Sequence, residues 1–136
     1  MSTEIVSRWP VLLALTVASS DRDGSDRLTD AAVERLFAEA RAAYFDRCAT
    51  VDESSLSIEA SFIGSQRAPV SDVGVTVSVS VVEVFPEGFT MSARLRPREG
   101  DGIAATASCR LSPGGPVLPA TRDEFIALAH RATHVH

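Results

Sequence analysis

An α+β fold, one antiparallel sheet wrapped around a long central helix, is predicted by three observations. After Thr29, the residues Val33, Leu36, Phe37, Ala40 and Tyr44 recur at helical spacing and give one apolar face of about four turns, with Glu34, Arg35, Glu39 and Arg41 on the other. From Val73 onward three stretches alternate apolar and polar with period two, broken only by turn residues. The order strand, helix, then four strands in hairpin succession suits one sheet that covers one face of one helix. The chain has 136 residues, of which 45% are hydrophobic, so a single domain over 1–136 with one core is expected.

Taken in order, Met1 to Arg8 is a polar lead-in with no compelling pattern. The run Val11 to Ala18, bounded by Pro10 and Ser19-Ser20, is apolar enough for a strand buried on both faces. The polar loop DRDGSDR follows, with Gly24 the residue fitted to a tight or left-handed turn. Thr29 is the expected N-cap of the central helix. After a polar connection from Ala49 to Ser54, Leu56, Ile58, Ala60 and Phe62 alternate with Ser57, Glu59 and Ser61, a half-buried strand with its large apolar residues on one face. Gly64 to Asp72 reads as a loop. Val75, Val77, Val79 and Val81 then form the strongest strand signal, and Pro86-Glu87-Gly88 turns it into Phe89, Met91, Ala93 and Leu95. A second turn, Arg98 to Gly102, leads to Ile103, Ala105, Ala107, Cys109 and Leu111, and the small residues from Ala104 to Ser108 suit close approach by the helix or serve equally as solvent-tolerant strand positions. After the linker Ser112 to Pro119, Thr121-Arg122-Asp123-Glu124 reads as a capping box opening a last helix with Phe125, Leu128, Ala129 and Ala132 inward.

Composition narrows the function. The net charge is −5 and all 13 basic residues are Arg, so the Lys-rich patch that releases counterions from a polynucleotide is missing. A few Arg still suffice to grip a phosphate-bearing carrier through bidentate hydrogen bonds. Cys48 and Cys109 stand far apart and form no C-x-x-C pair, as expected of small buried hydrophobes in a reducing compartment. The N-terminus has no signal-peptide arrangement, and Val11 to Ala18 is much too short to span a bilayer. A cytoplasmic protein that binds neither membrane nor nucleic acid is expected. G-x-S-x-G, P-loop and G-x-G-x-x-G motifs are missing from the sequence, so serine hydrolase, nucleotide hydrolase and dinucleotide-binding readings have no support.

The chemistry concentrates between Asp21 and Arg41. Asp21, Asp23, Asp26, Arg22 and Arg27 crowd around Gly24, and the helix that follows points its unpaired N–H donors and partial positive charge back at them. Acidic residues there also simply complement the helix dipole. The stretch nevertheless resembles the hotdog-fold thioesterase superfamily, in the branch related to 4-hydroxybenzoyl-CoA thioesterase. Asp21-Arg22-Asp23 stands at that family's Asp-x-Asp pair, and Ala38-Glu39-Ala40-Arg41 at the signature that closes its long helix, with the family's spacing and no gap. Arg27-Leu28-Thr29-Asp30 stands in place of the frequent His-Val-Asn-Asn run, and Val33 in place of a Tyr.

The resemblance implies hydrolysis of an acyl thioester, with acyl-CoA as substrate and no separate cofactor, since coenzyme A is part of the substrate. It maps the catalytic Asp onto Asp23, as general base for water or as nucleophile. It places the carbonyl-polarising backbone N–H near Asp30, reinforced by the helix dipole. Arg27, in the position of the missing His, would neutralise Asp23 or meet an acyl head group, and it would serve equally in a loop ion pair. Arg67, Arg94, Arg96 and Arg98 are candidates for the phosphates of coenzyme A, although exposed Arg on strands and turns is ordinary. Asp23 in a purely capping or turn role remains the competing reading, and Glu34 or Glu39 on the helix are alternative bases by residue type. The resemblance also implies a homodimer or homotetramer with sheets joined edge to edge, which would cover exposed strand edges.

A second reading is a non-catalytic hotdog protein that binds acyl-CoA or another acyl ligand, motivated by the missing His, Asn and Tyr. A dehydratase or hydratase on the same fold ranks last, because all three His lie in the last seven residues. No metal is expected. The acidic loop has Gly at the fourth position instead of the sixth and Ala32 where a calcium loop needs Glu, and His130 and His134 lack the Glu of an H-E-x-x-H.

Overall fold

The computed structural model of the protein describes residues 2–131. Its elements are β1 (Thr3–Glu4), β2 (Val11–Leu15), α1 (Asp30–Phe45), β3 (Ser57–Ile63), β4 (Val75–Phe85), β5 (Gly88–Pro97), β6 (Ala105–Ser112) and α2 (Pro119–His130). All strand pairs are antiparallel. The sheet runs β1-β4-β5-β6-β3, and β2 lies on β4 as well. β1 pairs with Val84 and Glu83 and β2 with Val79 to Val75, so the two short strands share one edge of β4.

The long alternations behave as expected. Val75, Val77, Val79 and Val81 of β4 are buried, as are Phe89, Met91, Ala93 and Leu95 of β5 and Ala105, Ala107, Cys109 and Leu111 of β6. Cross-strand pairs such as Val79↔Ala93 and Ala93↔Ala107 put these residues on one side of the sheet. Against that side α1 buries Ala32, Val33, Leu36, Phe37, Ala40, Tyr44 and Phe45. Thr29 caps it as expected, its Oγ1 accepting the Ala32 N–H at 3.2 Å. At the far end of α1, Tyr44, Phe45, Phe89 and Phe125 form an aromatic cluster with neighbouring centroids 4.8 to 6.1 Å apart, which fastens α2 to the core.

Four expectations are corrected. β2 is a partly exposed edge segment and not a strand buried on both faces: Val11 and Leu13 are buried while Ala14 is exposed, because the sheet continues from it on one side only. The lead-in contributes a sixth strand, β1, and its backbone continues onto the sheet through Ile5 N–H to the Val82 carbonyl. In β3 a bulge between Ile58 and Ala60 shifts the register, so Ile58 pairs with inward-facing Leu111 while Phe62 pairs with outward-facing Ser108. The large apolar residues therefore do not share a face, since one inserted residue reverses the alternation. Finally, Thr121 to Glu124 is not a capping box. α2 starts earlier, at Pro119, with no side-chain cap on its first turn, and Glu124 turns to the loop after α1. Its carboxylate accepts the N–H groups of Ala49 and Thr50 and the Thr50 hydroxyl at 2.6 to 3.0 Å.

Ala132 and His134 lie outside the described residues, so the last part of the expected α2 face and the His pair are not placed.

Candidate active site

The acidic loop closes on itself before α1 begins. Asp23 N–H donates to the Arg27 carbonyl at 2.8 Å, Asp26 N–H to the Asp23 carbonyl at 3.1 Å, and Arg22 and Leu28 form an isolated antiparallel bridge. The left-handed residue of this turn is Asp26, with φ +60°, and not Gly24. Asp is among the few residues that take this conformation readily, because its short side chain bonds locally. The Asp26 carbonyl accepts the Val70 N–H at 2.8 Å, and Arg22 Nη1 donates to the Val70 carbonyl at 3.2 Å, so the loop is latched to the segment between β3 and β4.

The three loop carboxylates have separate partners. Asp21 Oδ2 takes the Ala18 N–H at 2.9 Å and Arg35 Nη2 at 2.7 Å, which ties the loop to the polar side of α1. Asp26 faces Arg22 at 3.5 Å. Asp23 accepts the N–H groups of Ser25 and Arg27 at 2.7 and 3.1 Å, both on Oδ1. Those two bonds, helped by the charges of Arg27 and Arg67, hold its carboxyl below the usual carboxylate range. Asp23 is thus exposed, ionised and oriented by one oxygen.

Arg67 is the residue whose role the sequence did not disclose. Its Nη1 donates to the Leu28 carbonyl at 2.9 Å, and its Nη2 to the Gly64 carbonyl at 3.0 Å and to Asp30 Oδ1 at 2.7 Å. Arg27 Nε returns the contact by donating to the Arg67 carbonyl at 2.9 Å. The guanidinium, only 13% exposed, therefore fixes the start of α1 and lies within charge reach of Asp23. Its signal in the sequence is one Arg in a Gly-, Pro- and Ser-rich loop, which is indistinguishable from a solvated Arg. With Thr29 taking the N–H groups of Ala32 and Val33, the first-turn donors with no partner among the described residues are those of Asp30 and Ala31.

The remaining candidates divide by face. Arg94 lines an open groove of about 630 Å³ on the side of the sheet away from α1, with Ser78, Ser80, Ser92, Thr106 and Gly64. Arg96, exposed, follows on the same strand. Glu34 and Glu39 are exposed on α1, and Glu39 faces Arg35 at 3.5 Å. Cys48 and Cys109 are free thiols, and burial pushes the Cys48 thiol up to about 12 and raises that of Cys109, so neither is a nucleophile at neutral pH. Among the described residues no group of three or more His, Cys, Asp or Glu converges as metal ligands would, and no helix is long and apolar enough to cross a membrane.

No protein-family model matches the sequence, and no curated protein matches it significantly. Solved structures do share its architecture. A thioesterase from Thermus thermophilus, complexed with coenzyme A and Zn, is 22% identical, with a TM-score of 0.75 over 90% of this chain and 97% of that one. A Staphylococcus aureus protein in complex with CoA is 13% identical, with a TM-score of 0.67 over 96% of this chain and 89% of that one. A gentisyl-coenzyme A thioesterase is 12% identical, with a TM-score of 0.66 over 84% of this chain and 98% of that one.

Proposed function

We propose that this chain, which has the hotdog fold of the thioesterases it resembles, hydrolyses the thioester bond of an acyl-CoA at the mouth of α1. The observation that carries the reading is the exposed Asp23 carboxylate, held by the N–H groups of Ser25 and Arg27 in the turn that leads into α1, whose start Arg67 fixes through the Leu28 carbonyl and Asp30. The N–H of Asp30 and the helix dipole stabilise the negative charge that develops on the thioester oxygen. Asp23 supplies the attacking or proton-accepting oxygen. Its lowered pKa makes it a weak base, and efficiency in proton removal follows pKa, so direct attack on the carbonyl carbon fits it better. That attack would form a mixed anhydride and expel the coenzyme A thiolate, and water would then release the acid and restore Asp23. Arg27 stays beside Asp23 as its counter-charge. Arg94 and Arg96 are the exposed cations offered to the carrier's phosphates, while Arg67 serves the site by holding the helix start.

Release of free thiol from short, long and aromatic acyl-CoAs, with wild type beside Asp23→Asn, tests this. Wild-type turnover reduced about 10² to 10⁴-fold in a folded variant is expected. Full turnover by the variant would sink the assignment of Asp23. The second reading, a non-catalytic acyl-CoA binder, is favoured by the engagement of Asp23 in its own turn, and it predicts saturable CoA binding in calorimetry without thiol release.

The assembly proposed is a dimer joined through β3, whose outer edge has no strand beside it among the described residues and which exposes Ile58 and Phe62. Sedimentation at twice the 14.5 kDa chain mass is the expected result, and a Phe62→Asp chain should shift toward the monomer. Wild type that sediments at the mass of one chain would refute it.

A further inference from the structure

Asp21 belongs to the acidic cluster, yet the proposed chemistry gives it no part. Its Oδ2 accepts the Ala18 N–H at 2.9 Å and Arg35 Nη2 at 2.7 Å, its own N–H donates to the Ala18 carbonyl at 3.0 Å, and its carbonyl accepts the Thr29 N–H at 3.0 Å. One residue thus joins the chain leaving β2, the N-cap of α1 and the second turn of α1. Arg35 reaches back to it because helical side chains lean toward the N-terminus. The other arm of that guanidinium faces Glu39 at 3.5 Å, which steadies it from the next turn.

The side chain of Asp21 is 15% exposed and that of Arg35 46%. An ion pair with a half-exposed partner adds little to stability, so its effect lies in where it puts the loop. On the other side the loop is tied to the segment between β3 and β4, where Asp26 and Arg22 meet Val70 and Arg27 meets Arg67. Asp23 stands between the two sets of ties. It follows Asp21 by two positions, and both bonds to its carboxylate come from inside the loop, so its place relative to α1 is set by what holds the loop.

We propose that Asp21 is a positioning residue, anchored on α1 by Arg35, that sets the Asp23 carboxylate against the start of the helix. Neither member of the pair is required to touch substrate. The kinetic consequence rests on the thioesterase reading above, whereas the geometric one does not. Position and charge also act on Asp23 with different signs. Through charge alone, removing Arg35 would raise the Asp23 pKa and removing the Asp21 charge would lower it. Through position, losing either partner loosens the Ser25 and Arg27 N–H bonds that hold the carboxyl low, and both changes raise it.

Carboxyl-carbon NMR titration of Asp23 in the full chain, wild type beside Arg35→Gln and Asp21→Asn, is the first readout, and thiol release from acyl-CoA is the second. Asn has the shape of Asp and Arg35 is half-exposed, so both variants should keep the fold, checked by circular dichroism. The Asp23 midpoint is expected to rise in both. In both, kcat should fall about 10 to 10²-fold with KM kept, because a small misplacement of a reacting group costs rate on that scale. Arg35→Lys, which keeps the charge and most of the reach, should recover most of kcat. A midpoint that stays unchanged in Arg35→Gln, or that rises there and falls in Asp21→Asn, would overturn the proposal, as would a loss confined to KM. Wild type without turnover would end the thioesterase reading, and the titration would still decide whether the pair positions Asp23.

Discussion

At Asp23 two backbone N–H groups hold one carboxylate oxygen, and this sets how its chemistry depends on pH. Its folded pKa is depressed, so it stays charged from neutral pH down past the usual carboxylate range. A rate that needs ionised Asp23 should therefore be flat from about pH 8 to pH 5 on the acid side, since an unperturbed Asp titrates near 3.9. A kcat/KM limb falling with a midpoint near pH 6 would point to a different base. The neighbouring carboxylates do not compete for the role. Asp21 is taken up by Arg35 and the Ala18 N–H, and Asp26 faces Arg22. The sequence places acids and arginines together around Gly24 without saying which pair, and chain geometry gives each acid its own donor. Arg67, 37 positions from Asp30, is the residue that no local pattern could have attached to the helix start.

At the scale of elements, the β2–β4 edge is set by one glycine. Gly74 has φ +104°, and a Cβ there would run into the Leu15 carbonyl oxygen at the end of β2. Gly74→Ala should cost at least about 1 to 2 kcal/mol, the penalty of forcing an L-residue into left-handed backbone, measured as a lowered urea midpoint with an unchanged slope. The loop after α1 makes a second case. Burial alone would raise the Glu124 pKa, but bonds from Ala49 and Thr50 leave it below the ordinary value. A depressed pKa contributes stability present above the unfolded pKa and lost as pH falls through the folded one. Glu124→Gln should thus lower stability at neutral pH and make its decline toward acid shallower, as thermal melts across pH 7 to 3 would show. Helix and strands with unbroken periods were legible in the sequence because burial of one face forces the period. The β3 bulge, the short β1 and the start of α2 were not, since each depends on a partner strand or loop distant in sequence.

For the whole molecule, the sheet covers α1 on one side and presents hydroxyls and arginines on the other, with Ser78, Ser80, Ser92, Arg94 and Thr106 around the groove. That face is polar enough to meet water without a covering layer. The β3 edge is not so protected, with Phe62 65% and Ile58 52% exposed, and this is why the proposed dimer uses it. The architecture was predictable from element order, and the likeness to solved thioesterases carries that fold. The chemistry rests on a handful of residues around one helix end, where this chain has Arg27 and Thr29 in place of the resembled family's His and Asn.

The Glu124 carboxylate joins α2 to Ala49, 75 positions earlier in the chain. During synthesis from the N-terminus, α1 and all six strands can emerge before the residue that locks the bend after α1 exists. Until α2 arrives, Tyr44 and Phe89 lack Phe125 across from them, so the nascent sheet and α1 carry an unfinished aromatic surface that α2 closes.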